Sequence, residues 1–537
     1  MKSIRALYQL ARADFLQRTR SYGFLITLAL TLYAACLFIP PNHSAYATMQ
    51  IGGHRGVYNS AYLGALMAIL ISPFLSLAGF YLVKNAIDRD IQTRVGQILA
   101  ATPLSKPLYT IGKALSNFAV LTVLVAIMGV AAIGMQFARK EDLNLQVWPL
   151  ITPLVVISLP VMCVVAGMAI LFEAIPRLRG GLGNVIYFFL WSAVLTARAT
   201  QTDRAGGDPY FDLFGLGLLL PSISAACETA FPGAIQKGMS IGINVRTQGQ
   251  SWDLSTFRWD GLEWTSDIIF SRLFWVGAGF GLALAAAIFF RRFDPARERS
   301  KRGATVASGQ TQKTRSAERV VLPVTHGIPF QPLTKPLRFS YFFMTMTELR
   351  LALHRLGLWW YLIAAAIIAI GLFSPLAVSR GALVVAWIWP LLIWSAMGTR
   401  ERRYRTDQLV FSTAHPLRRQ LLACWLAGVL VALATGAGTG VRLWIGGEQA
   451  GFAGWLSGAF FIPTLALVLG VWSERSMLFE VVYLLLWYLG PANGTPDLDF
   501  MGVTGAAGSS HTAALFGFAT ATLFVLAVIG RKRQLSQ

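Results

Sequence analysis

Long apolar runs alternate with short charged ones along the whole chain, and most of the apolar runs approach 20 residues, the length that carries a helix across a bilayer. Read in order, they predict spans at Tyr22–Ile39, Ala61–Val83, Ala114–Phe137, Pro149–Phe172, Asn184–Ala199 and Ile268–Phe290. The pattern then repeats at Leu358–Val378, Leu383–Thr399, Leu421–Ile445, Gly454–Trp472, Leu478–Leu489 and Ala513–Gly530. The expected fold is an all-α polytopic membrane protein of about 12 spans, built as two tandem six-helix halves, 1–290 and 341–537. The basic linker between them, 291–340, is rich in Ser, Thr, Gly, Gln and Pro and is expected to be partly disordered.

Each half is preceded by an amphipathic segment. In Ile4–Arg20 a stripe of Ile4, Leu7, Tyr8, Ala11 and Phe15 excludes Arg5, Arg12 and Arg18, and in Phe343–Arg355 Met346, Leu349 and Leu353 recur at helical spacing. Such helices lie in the membrane interface with their basic face toward lipid headgroups. Leu213–Pro232 is apolar but interrupted by glycine and Pro221, which suits a re-entrant or interfacial hairpin better than a clean span. The rest of 200–267 is acidic and carries Trp252, Trp259 and Trp264, as a small extramembrane lobe with interfacial aromatics would. Trp359, Trp360, Trp387, Trp389 and Trp394 are expected to face lipid and anchor the interface.

Composition sharpens this picture. Residues are 55% hydrophobic and only 13% charged, about half the charge of an ordinary soluble domain. The net charge of +21 is explained by basic loops gathered on one side, which the positive-inside rule assigns to the cytoplasm together with both termini and the linker. The expected location is the bacterial cytoplasmic (inner) membrane, and no nucleic-acid partner is expected, because base-reading motifs are absent. Ala45-Tyr46-Ala47 has the form of a signal-peptidase site, but the segment before it is too long for a signal peptide, so an uncleaved first span is expected. Neither the four cysteines nor the six scattered histidines suggest a disulfide framework or a metal site.

There is no G-x-x-x-x-G-K-[ST] phosphate loop, no H-E-x-x-H, no Cys-x-x-Cys and no G-x-S-x-G. No catalytic residue, metal or cofactor is therefore assigned to this chain. Ionisable residues are scarce at the centres of the spans, whereas an ion-coupled carrier buries carboxylates there. The driving force is expected to enter through a partner.

Two charged loops are the natural docking points. Lys84–Lys113 offers Asp88, Arg89, Asp90 and Arg94, an apolar Val95-Ile98-Leu99 patch, and the break Thr102-Pro103; Arg400–Gln420 offers Arg402, Arg403, Asp407, His415 and Pro416. Aligning Pro103 with Pro416 places Leu104 on Leu417, Thr93 on Thr406 and Arg89 on Arg402. A short rod charged on one side fits a groove in a soluble partner. A second repeat supports the duplication: Pro209, Asp212 and Gly215 match Pro496, Asp499 and Gly502 as P-x-x-D-x-x-G, each just after the fifth span of its half.

These features resemble the permease subunit of ABC transporters of the type-2 exporter family, here as two fused half-permeases. The resemblance rests on the interfacial N-terminal helix, the segment ATPLSKPLYTIGKALSN between spans two and three, and the broken apolar stretch between spans five and six. RRFDPAR after span six adds to it, while the second loop departs from the pattern at His415 and Arg418-Arg419, so equal use of the two loops is open. What the resemblance implies is a pair of separate cytoplasmic ATPase subunits that bind ATP, receive the helices around Arg89–Leu99 and Arg402–Val410, and rock the halves to export lipidic, amphipathic or peptide cargo. Two other readings remain open: an ion-coupled secondary transporter, and a scaffold or mechanotransmitter whose ATPase drives a periplasmic partner through 200–267.

Overall fold

The computed structural model describes residues 2–20, 22–41, 44, 46–199, 209–245, 255–290, 340–354, 356–404, 406–413, 415–492, 494, 496–504 and 509–536. All of the expected linker except Ser340, and parts of the lobe (200–208 and 246–254, with Trp252), lie outside them. The chain forms two compact units, Met1–Phe293 and Asp294–Gln537. Among the described residues eight helices are long and apolar enough to cross a membrane. The expected first, fifth, seventh and eleventh spans fall on shorter apolar helices, Thr27–Phe38, Gly181–Ala197, Leu358–Phe373 and Ser476–Ala492.

The first unit runs α1 (Lys2–Thr19), α2 (Tyr22–Phe38), α3 (Ser60–Val83), α4 (Ala86–Gln92), α5 (Val95–Ala101), α6 (Lys106–Arg139), α7 (Val147–Ala174), α8 (Gly181–Ala199), α9 (Leu216–Ala230) and α10 (Ser266–Phe289). Helix α3 is buried along most of its length and is the centre of the unit. Helix α7 carries a π-helical stretch at Leu154–Ser158. It meets α10 where Gly167 and Gly279 bring the backbones together: a Cβ on Gly167 would stand 2.2 Å from the Gly279 carbonyl oxygen. Small residues at such crossings are how helices pack when no hydrophobic effect acts between them.

Two small sheets stand before α3. Strand β1 (Tyr46–Ile51) pairs antiparallel with β3 (Met239–Val245), and β2 (Arg55–Gly56) pairs parallel with β4 (Thr256–Phe257). The lobe is fixed to the helices by Arg55, which grips both carboxylate oxygens of Glu141, and by Asn59, which caps α3 through Tyr62 N–H (2.8 Å) and donates to the Trp259 carbonyl (2.9 Å). Trp259, expected at an interface, is buried and donates to Ser222. Leu213–Pro232, expected as a hairpin, contains a single helix instead: Pro221 lies within α9, where it interrupts the turn without reversing the chain.

The second unit contains α11 (Tyr341–Leu353), α12 (Leu358–Phe373), α13 (Leu376–Trp394), α14 (Arg400–Tyr404), α15 (Asp407–Phe411), α16 (Leu417–Ile445), α17 (Gln449–Ser473), α18 (Ser476–Ala492) and α19 (Ser509–Leu535). The break between its first two apolar helices falls at Ser374-Pro375, earlier than the expected end at Val378, because proline cannot continue the hydrogen-bonded ladder. The tryptophan expectation needs correcting. Trp387 and Trp394 are completely buried. With Trp455 they donate to the carbonyls of Ala432, Gly428 and Gly436 on α16 (2.9, 3.1 and 3.0 Å). These three acceptors are four residues apart, so they form one stripe of the helix. An indole N–H has no water partner in this interior, and a helix carbonyl retains a second lone pair for it. Trp359 is the exposed one of the set.

Candidate functional site

The first charged loop is built from the ends of five helices. Helix α3 stops at Lys84, and Asn85 in left-handed conformation (φ 85°) turns the chain into α4. The four N–H groups that open α4 have no partners within a helix. One carboxylate serves them: Glu173, fully buried at the end of α7, accepts from Asn85 (2.6 Å), Ala86 (2.9 Å), Ile87 (2.5 Å) and Asp88 (3.3 Å). A negative charge on a helix N-terminus is the favourable end of the dipole. Below this junction Ala86 and Ile87 pack with Tyr109, Ala114, Ile170 and Phe290.

A second carboxylate, Asp14 of α1, gathers the cations. It accepts from Arg18 (3.1 Å), Arg89, Lys113 (2.9 Å) and the Ser116 hydroxyl (2.7 Å). Burial raises the pKa of such a group, but the three cations outweigh it and hold the pKa of Asp14 at about 2. Lys113 also pairs with Asp90 (2.8 Å), which accepts from the Tyr109 hydroxyl (2.7 Å). Arg18 reaches on to the Val83 carbonyl (3.1 Å), and Lys84 donates to Leu178 O, Gly180 O and Asn184 Oδ1 (3.1, 3.3 and 2.5 Å). Asp14, Asp90, Glu173 and their cations thus lock α1, α3, α4, α6, α7 and the start of α8 into one block.

The expected contact residues separate accordingly. Arg89 and Asp90 are turned inward and spent on the block. Asp88 accepts from Gln92 (2.6 Å) at the edge. Arg94, left-handed at φ 60°, and Thr102 and Pro103 are exposed, and with them Val95 and Ile98, the latter 69% exposed. What projects from the block is an apolar and basic tip made by α5.

The second loop has the same parts with a looser base. Arg400 binds Glu348 of α11 (2.9 Å), as Arg89 binds Asp14 of α1. Buried Glu401 accepts from Gln420 and faces Arg531 at 3.6 Å. Arg402 pairs with Glu474 at the end of α17 (3.0 Å), both side chains being 38% exposed. Arg403 is exposed, Asp407 half-buried, and His415 exposed and left-handed (φ 57°). Pro416 directly precedes α16, whereas Pro103 stands ahead of the Ser105 cap of α6 and Pro107 lies inside that helix.

The other repeat has one local structure in both places. Pro209 and Pro496 open 3₁₀ turns, Pro209–Phe211 and Pro496–Leu498. Asp212 and Asp499 are buried, and each accepts the N–H five residues on, Gly217 (2.8 Å) and Thr504 (2.7 Å). Gly215 and Gly502 are both left-handed, at φ 71° and 72°.

Asp14, Lys113 and Glu173, which hold this block together, are not among the contact residues expected from the sequence. The signal was there: Asp14 is the sole acid of α1 and Glu173 the sole acid of α7. Among the described residues no group of three or more His, Cys, Asp or Glu comes together as a metal set. No family model, curated protein or solved structure matches the chain.

Proposed function

We propose that this chain is the membrane-spanning permease subunit of an ATP-binding cassette exporter in the bacterial cytoplasmic membrane, with its two halves rocked by separate ATPase subunits that dock on the two loops. The observation that supports this reading best is the construction of the first loop: an exposed apolar and basic tip on a base too heavily bonded to flex alone. A contact of that kind passes displacement to α1, α3, α6 and α7 together, as a chain without a phosphate loop of its own requires. In this reading the loops, both termini and the linker are cytoplasmic, and the lobe faces outward.

The test is made at the tip, because Arg89 is occupied internally. In protein purified from membranes of its native host, a P-loop ATPase is expected in stoichiometric amount, with ATP hydrolysis in the complex. Ile98→Asp with Arg94→Glu is expected to remove most of that ATPase while leaving the thermal stability of the chain unchanged, since neither side chain supports the fold. Full retention of the ATPase by this variant would overturn the docking role of the first loop.

A further inference from the structure

Near its end, helix α19 carries three consecutive basic residues, Arg531, Lys532 and Arg533, which the helical turn of roughly 100° per residue sends in different directions. Lys532 and Arg533 are exposed, whereas Arg531 is only 2% exposed. A buried guanidinium has to be answered by the groups around it. Nη1 of Arg531 donates to Oε1 of Gln534 (3.2 Å), Nη2 faces Oε2 of Glu401 in α14 at 3.6 Å, and the guanidinium lies over the Phe411 ring of α15, 5.0 Å from its centroid. Glu401 and Phe411 belong to the second loop, one on each of its helices. Glu401 is itself buried, and its Oε2 has no hydrogen-bond donor among the described residues, so the charge of Arg531 places this oxygen.

Helix α19 is anchored in turn. Gln534 donates to the Val471 carbonyl of α17 (2.7 Å), and Trp472 donates to the Leu526 carbonyl of α19 (3.0 Å). Gly530 lets the Trp472 indole lie against the helix, since a Cβ there would stand 2.7 Å from its Nε1. The loop is thus joined to α19 and α19 to α17, while the direct contact of the loop with α17, Arg402 on Glu474, is partly exposed on both sides. The first unit is arranged otherwise. There α7 grips the first loop through Glu173, and the last helix, α10, stacks Phe290 on Tyr109 of α6 (4.9 Å). Both units share a brace from their leading helix, Asp14 of α1 on Arg89 and Glu348 of α11 on Arg400. Helix α1 supplies it by turning Asp14 and Arg18 inward and leaving Ile4 and Tyr8 exposed, the reverse of the stripe expected from sequence for Ile4, Tyr8 and Arg18.

We propose that Arg531 is the positioning residue of the second loop, and that displacement of α14 and α15 enters the helices of its unit through α19 instead of directly through α17. The carboxylate and the ring lie on different helices of the loop, so one cation fixes both and moves with both. The position of the loop stands on these contacts alone; the displacement rests on the reading of the loops as docking points for an ATPase.

The first measurement uses the full chain in detergent, without any ATPase, and reads amide hydrogen exchange over residues 400–413. Arg531→Gln is expected to speed exchange there roughly tenfold, and Phe411→Leu, a milder change that keeps the ion pair, about fivefold. Glu474→Gln is expected to speed it at most about twofold. Arg531→Lys keeps the charge and is expected to recover part of the protection. Arg531→Gln combined with Phe411→Leu is expected to exchange no faster than Arg531→Gln alone, since the ring has then lost its cation already. The second measurement uses the chain with its ATPase bound and compares exchange over residues 520–535 with and without ATP. ATP is expected to change it in the wild type but not in Arg531→Gln, whose exposed Leu409 still offers the tip to the ATPase. Unchanged loop exchange in Arg531→Gln and Phe411→Leu, additive effects in the double variant, or an effect of Glu474→Gln as large as theirs would overturn the positioning role. A wild-type response to ATP in Arg531→Gln would overturn the route through α19. A chain that carries no ATPase would overturn the transporter reading and the displacement with it, while the first measurement still decides the position of the loop.

Discussion

The two charged loops are made of similar parts and braced in different ways. In the first, the carboxylate at the end of α7 is sealed from water and spends itself on four backbone N–H groups. In the second, the carboxylate at the end of α17 meets a single arginine in solvent. The difference is large in free energy. A fully buried carboxylate has lost its hydration and is tolerable only because every lone pair is used. An exposed ion pair keeps most of its water and gains little from its partner. The first loop therefore moves only with the helices beneath it, whereas the Arg402–Glu474 contact can open at small cost. Inequivalence of the loops, suggested in the sequence by His415 and Arg418-Arg419, has a physical basis at the other end of each loop.

The largest expected effect breaks the stronger brace. Glu173→Ala leaves four N–H groups at the start of α4 without acceptors in an apolar setting and is expected to cost about 3–5 kcal/mol. The measurement is thermal or denaturant unfolding of the purified chain in detergent. Glu474→Ala, its counterpart, is expected to cost at most about 1 kcal/mol. Equal losses in the two variants would mean that the two loops are braced alike.

A second, smaller effect lies in pH. Asp14 is held at about 2, below its ordinary value of 3.8. A carboxylate with a depressed folded value contributes stability above its unfolded value and loses it as pH falls toward the folded one. The contribution is roughly 2 kcal/mol, complete above about pH 4 and withdrawn between there and pH 2. Asp14→Asn should flatten the stability profile over that window, and an unchanged profile would show that the cations do not act on Asp14 in solution.

How much of this could be read in advance follows from what sequence patterns report. Hydropathy reports length and apolarity, so the apolar helices α3, α7, α10, α16 and α17 were legible to within about five residues, whereas α6 was legible only at its far end, because its first turns, from Lys106, are polar. Charge in a loop reports only that the loop is charged. It could not distinguish Arg94, which points to solvent, from Arg89 and Asp90, whose partners Asp14, Lys113 and Tyr109 come from other helices. Tryptophan likewise suggested an interface, while Trp387 and Trp394 find their acceptors on α16, a partner that only the tertiary fold supplies. The P-x-x-D-x-x-G repeat was legible because its bonds are local, five residues apart, and its glycine is needed for a backbone angle.

That repeat sharpens the comparison, because there the two units agree. Gly215 and Gly502 take the same left-handed angle, which costs a residue with a side chain roughly 1–2 kcal/mol. Gly215→Ala and Gly502→Ala are therefore both expected to destabilise the chain by more than that cost. The Cβ added at 215 would meet Cγ2 of the fully buried, β-branched Ile157 at 2.7 Å, and at 502 it would meet the Gly451 carbonyl oxygen at 2.7 Å, part of the α17 backbone. Unfolding in detergent should place both losses above the conformational cost alone. A neutral result at either position would mean that the turn does not hold its left-handed angle there, and the matching of the two units would reduce to a coincidence of sequence.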